Sequence, residues 1–172
     1  MKLLVTCLAF LAFACGEEKP KPQELPLTFK QADPGPGVSV KKAKEMGSGE
    51  EVVVQGRVSN MVKGLNAYNL VDEELYYCGK GGAEDQCKTP WDYCCVDAGE
   101  RAAATISVEV RSPDGKILPV GPGHVGPPLR LLDLVSVKGK IEKDEHGNVT
   151  LVETSRFIRE RPELPDDLHW PE

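Results

Sequence analysis

Two segments of this chain share one pattern, V-x-V-x-G-x-[V/I]: residues 52–58 and residues 135–141. In the first, period-two alternation puts Val52, Val54 and Val58 on one face of a strand. Val135, Val137 and Ile141 do the same in the second. Gly56 and Gly139 each sit inside a strand, where a glycine gives up side-chain packing and allows the bend that a closing sheet needs. Two bent strands of this kind restrict the chain to a small, curled, all-β sheet. The remaining strands follow from the same reading. Tyr68 to Leu70 runs into Val71-Asp72, and Thr105 to Val110 alternates with Ile106, Val108 and Val110 inward. Lys116 to Val120 is predicted to pair back across the turn Ser112-Pro-Asp-Gly115. Gly147-Asn148 closes a hairpin into Val149 to Val152. Short helical pieces are predicted at Val40 to Met46 and at Leu129 to Asp133, with a Gly/Pro loop over 121–128. After Phe157-Ile158 the chain reads as a polar tail.

The succession V-x-V-x-G-x-V, Tyr68-x-Leu70-x-Asp72, a third alternating strand and V-x-V-x-G-x-I resembles an OB-fold of the kind seen in nucleic-acid-binding and anticodon-binding domains. The resemblance covers about residues 50–158. It implies a five- to six-stranded OB-fold-like barrel with a cysteine-rich insert between strands 2 and 3. OB-folds take oligonucleotide, oligosaccharide or protein ligands, so the resemblance fixes a scaffold and leaves the ligand open. Its ligand surface is expected on the second and third strands: Tyr68, Leu70, the insert, and outward residues such as Ser107 and Glu109.

The insert, residues 73–103, holds Cys78, Cys87, Cys94 and Cys95 in a C-x8-C-x6-C-C spacing. Its stretch from Cys87 to Cys95, C-x-T-P-W-D-Y-C-C, resembles that of a group of exported, lipoprotein-type bacterial OB-fold proteins. That resemblance implies fold and location and carries no activity. Four cysteines allow three pairings. Adjacent Cys94 and Cys95 are poorly placed to join each other, so each is expected to reach back to Cys78 or Cys87. Two disulfides would staple a loop that lacks its own core, and closing about fifteen residues stabilises by about 3 kcal/mol. The alternative is a metal site of thiolates for zinc, copper or an iron–sulfur cluster, with Asp85, Asp92 and His124 as further candidate ligands. A redox dithiol is a third option, but the C-x-x-C motif is absent. Trp91 and Tyr93, like Tyr76 and Tyr77, are either stacking platforms for bases or sugars or packing residues with polar tips at the surface. With Tyr68, Trp91 and Tyr93 are the ligand-face candidates. Pro90 sets a rigid entry to Trp91.

The N-terminus supplies an address. Met1-Lys2 precedes an apolar run from Leu3, and Ala12-Phe13-Ala14-Cys15 reads as a secretion signal. The placement of Cys15 resembles a lipoprotein signal, with residues 1–14 removed and Cys15 lipidated. The apolar run is too short to span a bilayer, which takes about 20 residues. Residues 15–38, with Lys19-Pro20-Lys21-Pro22 and Asp33-Pro34-Gly35-Pro36-Gly37, read as a stiff tether. Residues 39–160 form the domain and 161–172 a polar tail. The expected protein is exported and membrane-anchored, facing the periplasm or the cell exterior. Its expected partner is an envelope protein or glycan.

The formal net charge is −6, and losing Lys2 with the signal makes it about −7. An acidic chain gains little from counterion release, which disfavours nucleic acid. Arg156, Arg159 and Arg161 interleave with Glu153, Glu160 and Glu163, the pattern of a solvated face. His124, His146 and His169 neighbour no nucleophile motif, and Lys63-Gly64 lacks the rest of a phosphate loop. No catalytic residue and no required cofactor is therefore expected.

Overall fold

A computed structural model describes residues 33–80, 87, 89 and 91–163. Its elements are β1 (Val38–Ser39), α1 (Val40–Glu45), β2 (Glu51–Met61), β3 (Ala67–Val71), α2 (Ala98–Ala103), β4 (Thr105–Glu109), β5 (Leu134–Lys143) and β6 (Val149–Glu160). Hydrogen bonding runs β1-β2-β3-β4-β6-β5, and a further β2–β5 pairing closes the ring. β4 and β6 are parallel, as are β1 and β2, and the other pairs are antiparallel. Five strands in this closed order make a small OB-fold-like barrel. The signal segment, Cys15, residues 15–32 of the tether, Asp85, Pro90, and the tail beyond 163 with His169 lie outside the described residues.

The two V-x-V-x-G segments are each other's partners. Val52 faces Gly139, Val54 faces Val137, and Gly56 faces Val135. Each glycine marks a close backbone approach. A Cβ on Gly56 would lie 2.7 Å from the Val71 carbonyl oxygen, and one on Gly139 would run into the Val152 carbonyl. The β5–β6 register shifts at Lys138/Gly139, where the sheet bends. Val54, Val58, Leu70, Ile106, Val108, Val137, Ile141 and Leu151 fill the barrel, and Val40 and Ala43 of α1 plug one end. Fully burying each of these larger apolar side chains stabilises by about 1.5–3 kcal/mol. Ser39 caps α1 by accepting from Lys42 N–H.

Several expected elements differ. The hairpin over 116–120 shrinks to one bridge, Arg111 with Ile117. Leu129 to Asp133 forms no helix. Leu132 instead takes φ +65°, its N–H donating to the Val58 carbonyl at 2.7 Å and its carbonyl accepting from Arg57 at 3.0 Å. The segment thus clamps the register shift of β2 between Val58 and Asn60. β6 continues to Glu160, well past the predicted end at Val152. The insert follows the third strand rather than the second, because the two-residue β1 precedes the long strand read as the first. The last tether residues are not free. Asp33 takes two hydrogen bonds from Arg159, at 2.7 and 2.5 Å, and Val38 pairs with Val54.

The arginine cluster is no solvated face. Arg156 and Glu153 are buried inside the barrel. Arg161 binds the buried Asp133 carboxylate with two nitrogens. Arg159 bridges Asp33 to Ser136.

Candidate functional site

The segment between β3 and α2 builds a lobe on one side of the barrel. It has a core of its own, contrary to the sequence reading: Val71, Leu75, Tyr93, Ala104 and Leu132, with Tyr77, Trp91 and Val96 packed against it. Local hydrogen bonds shape it. Cys78 N–H donates to the Asp92 carbonyl at 2.8 Å, Asp92 N–H to the Thr89 carbonyl at 2.9 Å, and Val96 N–H to the Tyr93 carbonyl at 3.1 Å. Asp97 then caps α2, its carboxylate accepting from Gly99 and Glu100 N–H.

These bonds fold the Cys94 end of the lobe back onto Cys78. The expected disulfides are not formed: no two of the four sulfurs lie at disulfide distance. The Cys78 and Cys94 sulfurs lie 3.3 Å apart, against about 2.05 Å for a bonded pair. Three sulfurs meet instead of pairing two by two. Cys78, Cys87 and Cys94 all lie within 4.8 Å of one another. Cys95 Sγ is 3.8 Å from Cys94 Sγ. Among the described residues no carboxylate or imidazole joins this group. Asp92 Oδ1 accepts from Tyr93 N–H, and His124 Nδ1 lies against the Gly121 carbonyl. The three thiols differ in environment. Burial pushes the Cys78 thiol up to about 11. Hydrogen bonds from the Thr89 side chain and backbone hold Cys87 below the ordinary thiol value.

A cleft of about 380 Å³ opens between the lobe and the outer barrel wall. Ser59 and Asn60 of β2, Asn69 of β3, Thr105 of β4, Arg101 of α2, and Asp92-Tyr93 of the lobe line it. The Tyr93 hydroxyl is buried with no hydrogen-bond partner among the described residues. Burial raises its pKa, so it stays a neutral donor. The cleft touches β3 and β4 through Asn69 and Thr105, and not through the residues that the sequence reading named on those strands. Tyr68 is 1% exposed and Leu70 is fully buried. They point into the barrel, while the alternate residues Asn69 and Ser107 face out and touch through Ser107 Oγ and Asn69 Oδ1. Tyr68 is therefore no contact residue. Trp91 and Tyr93 pack the lobe, with the Tyr93 tip buried rather than at the surface. Asn60, Asn69 and Arg101 were missed because isolated polar residues carry no motif; only the out-facing half of the strand alternation marks Asn69.

Inside the barrel lies a second polar group. Tyr68 O–H donates to Glu153 at 2.7 Å, and Arg156 Nε to Glu153 at 2.5 Å. Arg156 also donates to the Pro122 carbonyl and Asn66 Oδ1, and its guanidinium stacks over the Tyr68 ring. Burial raises the Glu153 carboxyl, while the Arg156 charge opposes the shift.

No family model matches the chain, and no curated protein matches it. Solved structures similar to it include a hypothetical protein YgiW from E. coli, at 15% identity and TM-score 0.36, covering 71% of this chain and 88% of that one. An OBody, AM1L10, bound to hen egg-white lysozyme is 18% identical with TM-score 0.36, covering 67% and 83%. An aspartyl tRNA synthetase from Entamoeba histolytica is 14% identical with TM-score 0.43, covering 96% of this chain and 30% of that one. Among the described residues no helix is long and apolar enough to cross a membrane.

Proposed function

We propose that this chain is an exported OB-barrel that binds rather than catalyses, anchored through Cys15 and taking an envelope glycan in the cleft beneath the cysteine lobe. One observation carries the ligand assignment: amide and hydroxyl groups of Ser59, Asn60, Asn69 and Thr105 alternate with the apolar Val71, Ala98 and Ala102 along the cleft. Such a mixed lining exchanges hydrogen bonds with the hydroxyls of a sugar and packs against its carbon face. Asp92 and Arg101 at its edge add one charge of each sign. The apolar run before Cys15 supports export.

The test is titration of the mature protein with soluble oligosaccharides released from the envelope, followed by calorimetry. Asn69→Ala and Arg101→Ala should each weaken binding about tenfold, the equivalent of one lost hydrogen bond, with an unchanged melting temperature. Wild-type protein that ignores these oligosaccharides but captures an unstructured envelope peptide in the same cleft would replace glycan by protein. Cys15→Ser should move the protein from the membrane fraction to the soluble one.

A further inference from the structure

The lobe presents a second set of donors that the cleft does not use. We propose that Cys78, Cys87 and Cys94 bind one thiophilic d10 cation, Cu(I) or Zn²⁺, with Cys95 as the fourth ligand where the ion demands four. The distances suit a single ion. Metal–sulfur bonds of about 2.3 Å place tetrahedral thiolates about 3.8 Å apart and trigonal ones about 4.0 Å apart. The sulfurs of the three lie within 4.8 Å of one another, with Cys78–Cys94 at 3.3 Å, so trigonal binding needs only small movements; Cys95, 3.8 Å from Cys94 but outside the three-sulfur group, has to swing inward to complete a tetrahedron. A multi-iron cluster spreads its cysteines around several metal atoms and needs a wider cage. The donor set is all sulfur, which selects soft and borderline ions over Mg²⁺ or Ca²⁺.

The surroundings are arranged around the sulfurs as well. Cys78 sits at the buried floor, Cys87 is half-buried, and Cys94 and Cys95 open to solvent, so an ion has an entry path. The Thr89 hydroxyl lies 3.5 Å from Cys87 Sγ, an outer contact that orients a ligand sulfur. The Cys78 N–H bond to the Asp92 carbonyl fixes the spacing of the two chain segments. Loading converts three thiols and one cation into a metal tris-thiolate and three protons released to buffer; Cys95 adds a fourth proton when it joins. No electron is transferred. Closing Cys78 onto Cys94 as a disulfide would remove two of the three ligands, so the oxidised and metal-loaded lobes exclude each other.

The experiment uses the full chain, purified anaerobically with thiols reduced. It is offered Zn²⁺ alone, or Cu(I) held by a competing chelator, and read by native mass spectrometry. One ion per chain is expected, together with a thiolate-to-metal charge-transfer band when Co²⁺ replaces Zn²⁺. Cys78→Ser, Cys87→Ser and Cys94→Ser should each weaken loading by at least about 100-fold. Cys95→Ser discriminates the ions: Zn²⁺ binding falls with it, and Cu(I) binding does not. Should a serine variant unfold, wild-type protein stripped by chelator and reloaded, with its barrel followed by circular dichroism, gives the same readout. Wild-type protein that holds no ion more tightly than the Cys78/Cys87/Cys94 triple serine variant overturns the proposal. So does protein from its native compartment whose four sulfurs are two alkylation-resistant disulfides. None of the three sulfurs lines the cleft, so failure here leaves glycan binding standing, and the reverse.

Discussion

The barrel interior and the cysteine lobe each bury reactive groups, and they treat them in opposite ways. In the barrel, every nitrogen of Arg156 donates: to Glu153, to Asn66 and to the Pro122 carbonyl. Its charge is balanced by Glu153 and its face covered by Tyr68. Of this group, only Asn66 Nδ2 is buried with no partner among the described residues. In the lobe, three sulfurs converge within 4.8 Å of one another, held by the weak hydrogen bonds of thiols, and a buried tyrosine hydroxyl faces no acceptor among the described residues. A network of charge-assisted hydrogen bonds fixes a structure; thiols held by weak hydrogen bonds keep the capacity to bind something else. Burial by itself therefore does not separate structural groups from functional ones. What separates them is how strongly their bonding capacity is already engaged.

The sharpest way to break this contrast is at Arg156. Arg156→Ala strands Glu153 as an uncompensated buried carboxylate and should lower stability by about 3–5 kcal/mol in denaturant unfolding. A well-tolerated alanine would mean that the barrel network is no more committed than the lobe. Gly139→Val comes next. The new side chain meets the Val152 carbonyl, and overpacking of this kind costs about 1–3 kcal/mol, seen as a lower denaturation midpoint.

The lobe is probed by thiol chemistry. Cys87, held below the ordinary thiol value, should be alkylated first as pH rises. Cys78, buried and raised to about 11, should be last and at least about tenfold slower at neutral pH. Equal rates at the two positions would contradict the described arrangement. The smallest effect is expected from Tyr93→Phe. Deleting a hydroxyl that has no partner among the described residues should leave stability unchanged or raise it by up to about 1 kcal/mol. A clear loss of stability would show that the hydroxyl already has a partner.

Much of the barrel was legible because its apolar residues obey period two. Val52, Val54, Ile106, Val108, Val137 and Ile141 all face inward as their spacing requires. The pattern failed where polar residues point into the barrel. Glu153 and Arg156 are buried, so β6 read as ending at Val152 although it runs to Glu160. At Leu132, the positive φ is imposed by contacts with β2, which no local propensity reports. The cysteine centre was visible as a composition and not as an arrangement. C-x8-C-x6-C-C matches no familiar ligand spacing, and the sulfurs meet only because Cys78 N–H binds the Asp92 carbonyl and brings two segments together. For the cleft, only the out-facing position of Asn69 could be foreseen, while its wall of Arg101 and Thr105 depends on where α2 lands.

The Asp33–Arg159 fork has a mechanical consequence. A pull on the chain from its N-terminal side reaches Asp33 before it reaches the two-residue β1. Arg159 holds Asp33 and the Gly35 carbonyl at once, and it belongs to β6, which is laddered to β5 from Val149 to Glu160. Tension is therefore handed to the most extensive strand pairing of the barrel instead of stripping β1 from β2 pair by pair. A domain fastened in this way transmits strain along its wall while the cleft and the sulfur centre stay off the line of force.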